Sequence, residues 1–305
     1  VKEFFVEKNF GPARLEVIQR INVILADYAA QGYRLSLRQL YYQLVARAEI
    51  ENTLHSYKRL GDLVSDARLA GMVDWDMIED RGRETIAPPM WKDPAQIVDA
   101  AARQFAIDRW ADQPNHVEVM VEKAALEGVL IPVCRDLGIR FTANRGYSSQ
   151  STMYESGKRL EGALHDEKKD VFILYLGDHD PSGVDMTRDV RDRLSLFADA
   201  AVEVDRLALN MDQVQRWRPP ENPAKTTDSR YRAYILEFGA SSWELDAVEP
   251  ATLADIVRTA VAGLRDDDLY NAALERENTM KAELQDFVES YRRNQDEQDQ
   301  AGEED

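Results

Sequence analysis

The sequence predicts an α/β protein: a helical N-terminal region, then a doubly wound parallel sheet, then a C-terminal helix. Two observations carry this expectation. Between residues 117 and 209, four short segments that read as strands (117–121, 139–142, 171–176 and 202–209) alternate with helical patterns at 124–137, 149–165 and 182–197. Strands that alternate with helices form parallel sheets covered on both faces. Before residue 90, by contrast, the periodic stretches have helical spacing.

Taken in order, Pro12 opens a helix with Leu15, Ile18, Leu25 and Tyr28 on one side, and Gly32 closes it. Ser36-Leu37-Arg38-Gln39 has the form of a capping box, so a second helix is expected to run to about Arg47. Asn52 or Thr53 then caps a third, residues 54–70, with Leu60, Leu63, Val64 and Ala67 as its apolar stripe and Gly71 as its stop. Two short helices joined by a turn have the outline of a helix-turn-helix. His55, Lys58, Arg59 and Arg68 fall largely off the apolar stripe, where phosphate contacts would lie on DNA, although a solvated helix face explains them as well.

Ile86-Ala87-Pro88-Pro89 and Pro94 break the helical pattern and mark a connection. The resulting division is a helical domain at 1–90, a connection at 91–116, a sheet domain with an extension at 117–263, and a C-terminal helix with an acidic tail at 264–305. Arg216 to Tyr231 reads as an extended loop, followed by Trp243-Glu244-Leu245-Asp246 and a helix at 252–264. Leu284, Phe287, Val288 and Tyr291 fall at helical spacing, and the polar end from Asn294 is expected to be disordered.

Composition narrows the function classes. The 305 residues are 44% hydrophobic and 31% charged, which excludes collagen-like, disulfide-stapled and wholly disordered chains. The longest apolar run, 171–176, is far shorter than the ~20 residues of a membrane span, and Val1-Lys2-Glu3-Phe4-Phe5 carries no signal-peptide pattern, so a cytoplasmic protein without membrane attachment is expected. The single cysteine, Cys134, excludes an intramolecular disulfide and a cysteine zinc site; its apolar surroundings point to a buried structural thiol. The net charge of −18 argues against nucleic acid at first sight. However, residues 265–305 alone hold fourteen acidic and five basic residues, half of the excess, whereas residues 34–68 form a weakly basic island of six basic against four acidic residues.

In doubly wound sheets, ligands gather beyond the carboxyl ends of the strands. Glu122 follows the first strand and Asp178-His179-Asp180-Pro181-Ser182-Gly183 follows the third, so three carboxylates are expected close together. Such oxygen clusters suit a hard cation such as Mg²⁺, which organises phosphate oxygens for in-line displacement. The bland alternative is that Asp180 or Ser182 only caps the next helix. In Arg38-Gln39-Leu40-Tyr41-Tyr42, neighbouring helical residues point about 100° apart, so at least one tyrosine hydroxyl is expected to reach a surface or a partner. A tyrosine with cationic help can act as a nucleophile, and equally a tyrosine pair can simply support a helix interface.

The order and combination of these parts resemble the A subunit of topoisomerase VI and its meiotic relative Spo11. The resemblance covers about residues 30–260: a winged-helix-like module bearing Arg38 to Tyr42, then a Toprim-like sheet bearing Glu122 and Asp178-His179-Asp180. It implies that Tyr42, rather than Tyr41, forms a 5′-phosphotyrosyl bond, with Arg38 as an auxiliary cation. It also implies Glu122, Asp178 and Asp180 as ligands of Mg²⁺ (or Mn²⁺); Lys58, Arg59 and Arg68, off the apolar stripe, are the candidates for DNA contact. The implied partners are double-stranded DNA, a second copy whose metal site meets the tyrosine of the first, and a separate GHKL-type ATPase subunit, because no Gly-x-x-x-x-Gly-Lys-Ser/Thr run is present. Being short for a full A subunit, the chain looks more like the minimal stand-alone A-like proteins of mobile elements and phages. His179 between the aspartates and the acidic tail depart from the pattern. Asn144-Arg145-Gly146, Lys225 to Asp228 and Glu244-Leu245-Asp246 are further polar loops that capping and ion pairs also explain. Two other readings follow from the residues: a hydrolytic Toprim nuclease and an inactive DNA-binding assembly module.

Overall fold

The computed structural model describes residues 1–79, 88, 90–144 and 148–303, with side chains described through residue 293. The chain divides into two compact units, Val1–Arg83 with His116–Leu264, and Glu84–Asn115 with Arg265–Asp305.

In the first unit, helix α1 (Pro12–Ala30) starts with proline at its first turn and buries Ile18, Ile21, Ile24, Leu25 and Tyr28. A two-residue strand, β1 (Leu35–Ser36), leads into α2 (Leu37–Ala46), whose start is the expected capping box: Ser36 accepts from the Gln39 amide and Gln39 accepts from the Ser36 amide. Thr53 caps α3 (Leu54–Leu69). The strand β2 (Ile78–Glu79) pairs with β1 in parallel, so the pair beside the two helices is not an antiparallel hairpin. One apolar core joins α1, α2 and α3 and includes Ala247 from far along the chain.

The second unit begins with α4 (Pro94–Gln104), capped by Asp93, within the stretch that the sequence marks as a connection. Ile86, Ala87 and Pro89 lie outside the described residues.

The sheet follows expectation closely. Its strands are β3 (Asn115–Val121), β4 (Arg140–Ala143), β5 (Asp170–Leu176) and β6 (Glu203–Ala208), in the spatial order β4-β3-β5-β6. The β3–β4 and β5–β6 pairs are parallel. Helices α5 (Glu127–Leu137), α6 (Gln150–His165) and α7 (Pro181–Ala198) make the crossovers. Met120, Ile173 and Tyr175 share one core with α6 and α7, built on Met153, Leu160, Met186 and Leu194. The chain leaves β3 toward β4, then crosses back over β3 to place β5 on its other side. The topological switch point is therefore between β3 and β5, where such sheets open a crevice.

Beyond β6 come α8 (Met211–Trp217), β7 (Glu221–Pro223), α9 (Tyr231–Phe238), β8 (Ser241–Trp243) and α10 (Pro250–Leu264). The expected loop at 216–231 thus contains a strand. β7 pairs antiparallel with β8 through Glu221–Trp243, Asn222–Ser242 and Pro223–Ser241, a partnership that local pattern does not announce because three-residue strands lack periodicity. Cys134 is buried, and burial pushes its thiol up to about 12, as a structural role requires.

The C-terminal helix, α11 (Asp267–Glu303), packs on α4 in the second unit. Its backbone is helical through the acidic segment expected to be disordered. That stretch has no proline, and its three Gln, three Glu and single Ala are residues that lose little freedom in a helix. Among the described residues, no helix is long and apolar enough to cross a membrane.

A candidate phosphodiester site at the strand switch point

Glu122 and Asp178 sit just past the ends of the two strands that flank the switch point. The Glu122 amide donates to the Leu176 carbonyl (2.9 Å), and the Asp178 amide donates to Glu122 Oε2 (2.8 Å). The turn depends on two glycines. A Cβ on Gly177 would lie 3.0 Å from Glu122 Oε2 and 2.8 Å from the Tyr175 ring, and one on Gly183 would lie 2.3 Å from the Asp178 carbonyl oxygen. Arg206, on β6, donates to the carbonyls of Gly177 (3.1 Å), Asp178 (2.5 Å) and Gly183 (3.0 Å), fixing the loop from the neighbouring strand.

Asp180 is the N-cap of α7: its Oδ1 accepts from the Gly183 amide (2.6 Å) and the Ser182 hydroxyl (2.9 Å). The capping alternative is therefore what the helix start displays. His179, between the aspartates, is buried edge-on against Tyr234, Phe238 and Trp243. Its Nδ1 lies 2.8 Å from the Tyr234 hydroxyl, which also reaches the carbonyls of His179 and Ser241. The hydroxyl has one proton and carbonyls only accept, so Nδ1 is the donor to the phenol oxygen. Burial, with Arg206 nearby, lowers the imidazole to about 4 and keeps it neutral.

His179 also forms an antiparallel bridge with Trp243 through reciprocal 2.9 Å backbone bonds. That bridge carries the next residues, Glu244-Leu245-Asp246, into the site, and the Leu245 amide donates to Asp178 Oδ1 (2.8 Å). Lys123 sits among these carboxylates: its Nζ is 2.7 Å from Asp178 Oδ2, 2.6 Å from Glu244 Oε2 and 3.4 Å from Asp246 Oδ1. Burial works against the ammonium, but Asp246, Asp178 and Glu244 outweigh it and raise its pKa. Burial raises Glu122 and Asp246 and pushes Asp178 up to about 7 against the pull of Lys123.

Arg38 extends the network to the N-terminal helices of the same chain. Its Nη2 bonds Glu244 Oε2, its Nε is 3.1 Å from Asp246 Oδ2, and its guanidinium carbon stands 5.8 Å from the centre of the Tyr42 ring. Neither tyrosine hydroxyl reaches the surface, and each meets partners within the chain. Tyr41 (5% exposed) donates to Asn52 Oδ1 (2.8 Å) and the Thr53 carbonyl (3.2 Å), while Tyr42 (3% exposed) accepts from Asn222 Nδ2 (3.3 Å). Both rings face inward because the α2–α3 turn and the β7–β8 hairpin close over them, joined by Asn52 Nδ2 to the Glu221 carbonyl (2.7 Å). Burial, followed by Glu244, pushes the Tyr42 phenol up to about 12.

Of the residues expected on the DNA side, Lys58 and Arg59 are exposed on α3. Arg68 instead donates to the carbonyls of Trp75 (2.9 Å) and Ile78 (2.7 Å) and lies over the Trp75 ring. With Arg38, Ser36, Tyr57, Trp75 and Ala124 it lines a cleft of about 520 Å³. Asn144 is buried, whereas Arg145 and Gly146 lie outside the described residues.

The carboxylates at the switch point are hard oxygen donors of the kind Mg²⁺ takes. As arranged they do not fit it: Asp178 is committed to Lys123 and to the Leu245 amide, Asp180 to its helix, and among the described residues no three His, Cys, Asp or Glu side chains converge as a metal site. Sequence reasoning missed Lys123, Arg206, Asn222 and Tyr234, and set Glu244 and Asp246 aside. The position of Lys123 beside Glu122 was the one available signal. The chain matches no family model, no curated protein and no solved structure.

Proposed function

We propose that this protein cleaves DNA by tyrosine transesterification, in the manner of a type IIB topoisomerase A subunit, with Tyr42 as nucleophile. The observation that carries the reading is Arg38, which spans from the Tyr42 ring to Glu244 and Asp246. Those carboxylates share Lys123 with Asp178 at the strand switch point. In the proposed step the Tyr42 oxygen forms a bond to phosphorus as the bond to the 3′ oxygen breaks. The phenolic proton passes to a neighbouring base, and the departing 3′ oxygen takes up a proton. Arg38 and Lys123 stabilise charge on the phosphoryl oxygens. Glu122, Asp178 and Asp180 are the residues that the family resemblance assigns to Mg²⁺ or Mn²⁺. Because Asp178 and Asp180 are engaged by Lys123, the Leu245 amide and the α7 cap, they would hold such a cation only after releasing those contacts, and no step above depends on it. A homodimer acting on both strands, a GHKL-type ATPase partner and a cytoplasmic setting belong to the same reading.

One observation favours a second reading, hydrolysis by water. Tyr42 is almost fully buried and its phenol is shifted away from ionisation. Supercoiled plasmid incubated with Mg²⁺ or Mn²⁺, quenched with denaturant and resolved with and without protease, separates the two. Ends that carry protein and vanish in both Tyr42→Phe and Glu122→Ala support transesterification. Protein-free cuts that survive Tyr42→Phe but not Glu122→Ala make it a nuclease, and DNA binding without any cut leaves a partner-dependent enzyme or an assembly module.

A further inference from the structure

We propose that Arg38 and Lys123 form a seat for one backbone phosphate of a nucleic acid, and that the Glu244 carboxylate fills this seat in the free protein. The substrate class rests on the phosphodiester reading above.

The two cations converge on a single oxygen. Arg38 Nη2 and Lys123 Nζ both bond Glu244 Oε2, from α2 and from the end of β3 respectively. Two charged donors aimed at one anionic oxygen are what a phosphate oxygen requires. Each cation also keeps a second anion that does not depend on Glu244: Asp246 at 3.1 Å for Arg38, Asp178 at 2.7 Å for Lys123. The seat therefore stays assembled when Glu244 leaves.

The two carboxylates of the Glu244–Asp246 turn differ in access. The Asp246 side chain is fully buried, whereas that of Glu244 is 23% exposed, between an Arg38 side chain 44% exposed and a Lys123 side chain 22% exposed. The backbone around Glu244 is pinned on both sides, by the Trp243–His179 bridge and by the Leu245 amide on Asp178. Departure of Glu244 is thus a side-chain rotation and leaves the site's scaffold in place. The 520 Å³ cleft is lined by Arg38 and by Ala124, the residue after Lys123, so it adjoins the seat on its Arg38 side. Glu244 competes with a backbone phosphate for the same donors and weakens nucleic-acid binding.

The test measures non-covalent binding of a fluorescein-labelled linear duplex, by anisotropy across a KCl series, in a Tyr42→Phe background that cannot form a covalent product. Glu244→Gln is expected to tighten binding roughly tenfold, the size of one charge-assisted hydrogen bond, and to steepen the salt dependence by about one phosphate. Adding Arg38→Gln to Glu244→Gln is expected to cancel the gain. Asp255→Asn removes an equal charge at an exposed position elsewhere in the same unit and is expected to change affinity little. The proposal is overturned if folded Glu244→Gln binds no tighter, if Asp255→Asn gives the same gain, or if the gain survives Arg38→Gln. Should Glu244→Gln melt below the assay temperature, Glu244→Ser repeats the measurement. Tightening in a protein whose Tyr42 form makes only protein-free cuts would sink transesterification and keep the seat, whereas protein-linked cutting without tightening would do the reverse.

Discussion

Lys123 Nζ lies 2.7 Å from Asp178 Oδ2, so the second residue after β3 and the second residue after β5 are tied by an ion pair across the strand switch point. The lysine faces Asp178, Asp246 and Glu244, and the first two are almost wholly buried. Removing the cation strands buried negative charge, which is costlier than removing the whole pair. Lys123→Met is expected to lose roughly 3–5 kcal/mol in urea unfolding, and Lys123→Met with Asp178→Asn to recover part of that loss. A single-variant loss below about 1 kcal/mol would show that these carboxylates take up protons instead of depending on the ammonium.

Gly183 occupies a place where no side chain fits. A Cβ there would meet the Asp178 carbonyl oxygen at 2.3 Å, and this contact is backbone, so a rotamer change cannot relieve it. Gly183→Ala is expected to displace the Asp178 carbonyl from Arg206 and loosen the cap that Asp180 makes. The expected cost is about 2–4 kcal/mol, with loss of any cleavage activity, whereas Gly263→Ala, with nothing within 4 Å of the added carbon, should be neutral or slightly stabilising in its helix. Melting temperatures of the two variants compare them directly.

The two tyrosines separate structure from chemistry. The single Tyr41 hydroxyl proton is shared between two acceptors in the α2–α3 turn, and Tyr42 takes one long bond from Asn222. Tyr41→Phe leaves the Asn52 side chain and the Thr53 carbonyl short of a donor and is expected to cost about 1–2 kcal/mol while sparing cleavage. Tyr42→Phe is expected to cost less than about 1 kcal/mol and to abolish protein-linked ends. The reverse pattern, with linked ends surviving in Tyr42→Phe and lost in stable Tyr41→Phe, would move the nucleophile one residue back.

The periodic parts of this chain were readable because burial repeats at the spacing of the element. The capping box at Ser36, the four parallel strands and the start of α7 all fell where apolar spacing and cap residues placed them. The site was only half readable. Strand ends announced Glu122 and Asp178, because in a doubly wound sheet position after a strand is information in itself. Glu244 and Asp246 reach the site through a three-residue strand, paired about twenty positions back, and a bridge from Trp243 to His179 more than sixty positions apart, pairings that leave no local pattern. The tyrosines mislead for a related reason: helical geometry fixes the angle between Tyr41 and Tyr42, but not that a hairpin some 180 residues later supplies Asn222 to cover the second of them. Helix propensity explains the tail, where charge invited a reading of disorder.

The second unit contains its own pH-sensitive contact, independent of the site. Glu277 on α11 takes a two-pronged bond from Arg109, Nε to Oε2 at 2.9 Å and Nη2 to Oε1 at 2.7 Å, with Lys281 Nζ at 2.6 Å and the Ile107 amide at 3.3 Å. Arg109 first, and Lys281 after it, hold the buried carboxyl near about 2, below its ordinary 4.5. A depressed carboxyl stabilises the fold in full above its unfolded pKa, and that contribution is lost as pH falls from about 4.5 through about 2. Trp110, packed edge-on against Tyr270 at 6.4 Å, reports the state of this unit. With fluorotryptophan incorporated, the Trp110 resonance is expected to stay native-like near pH 5 and to broaden or shift between pH 4 and 2. Glu277→Gln is expected to weaken the unit at neutral pH, because Arg109 loses its counter-charge, and to flatten the acid transition. An unchanged acid transition in Glu277→Gln would assign it to other carboxylates.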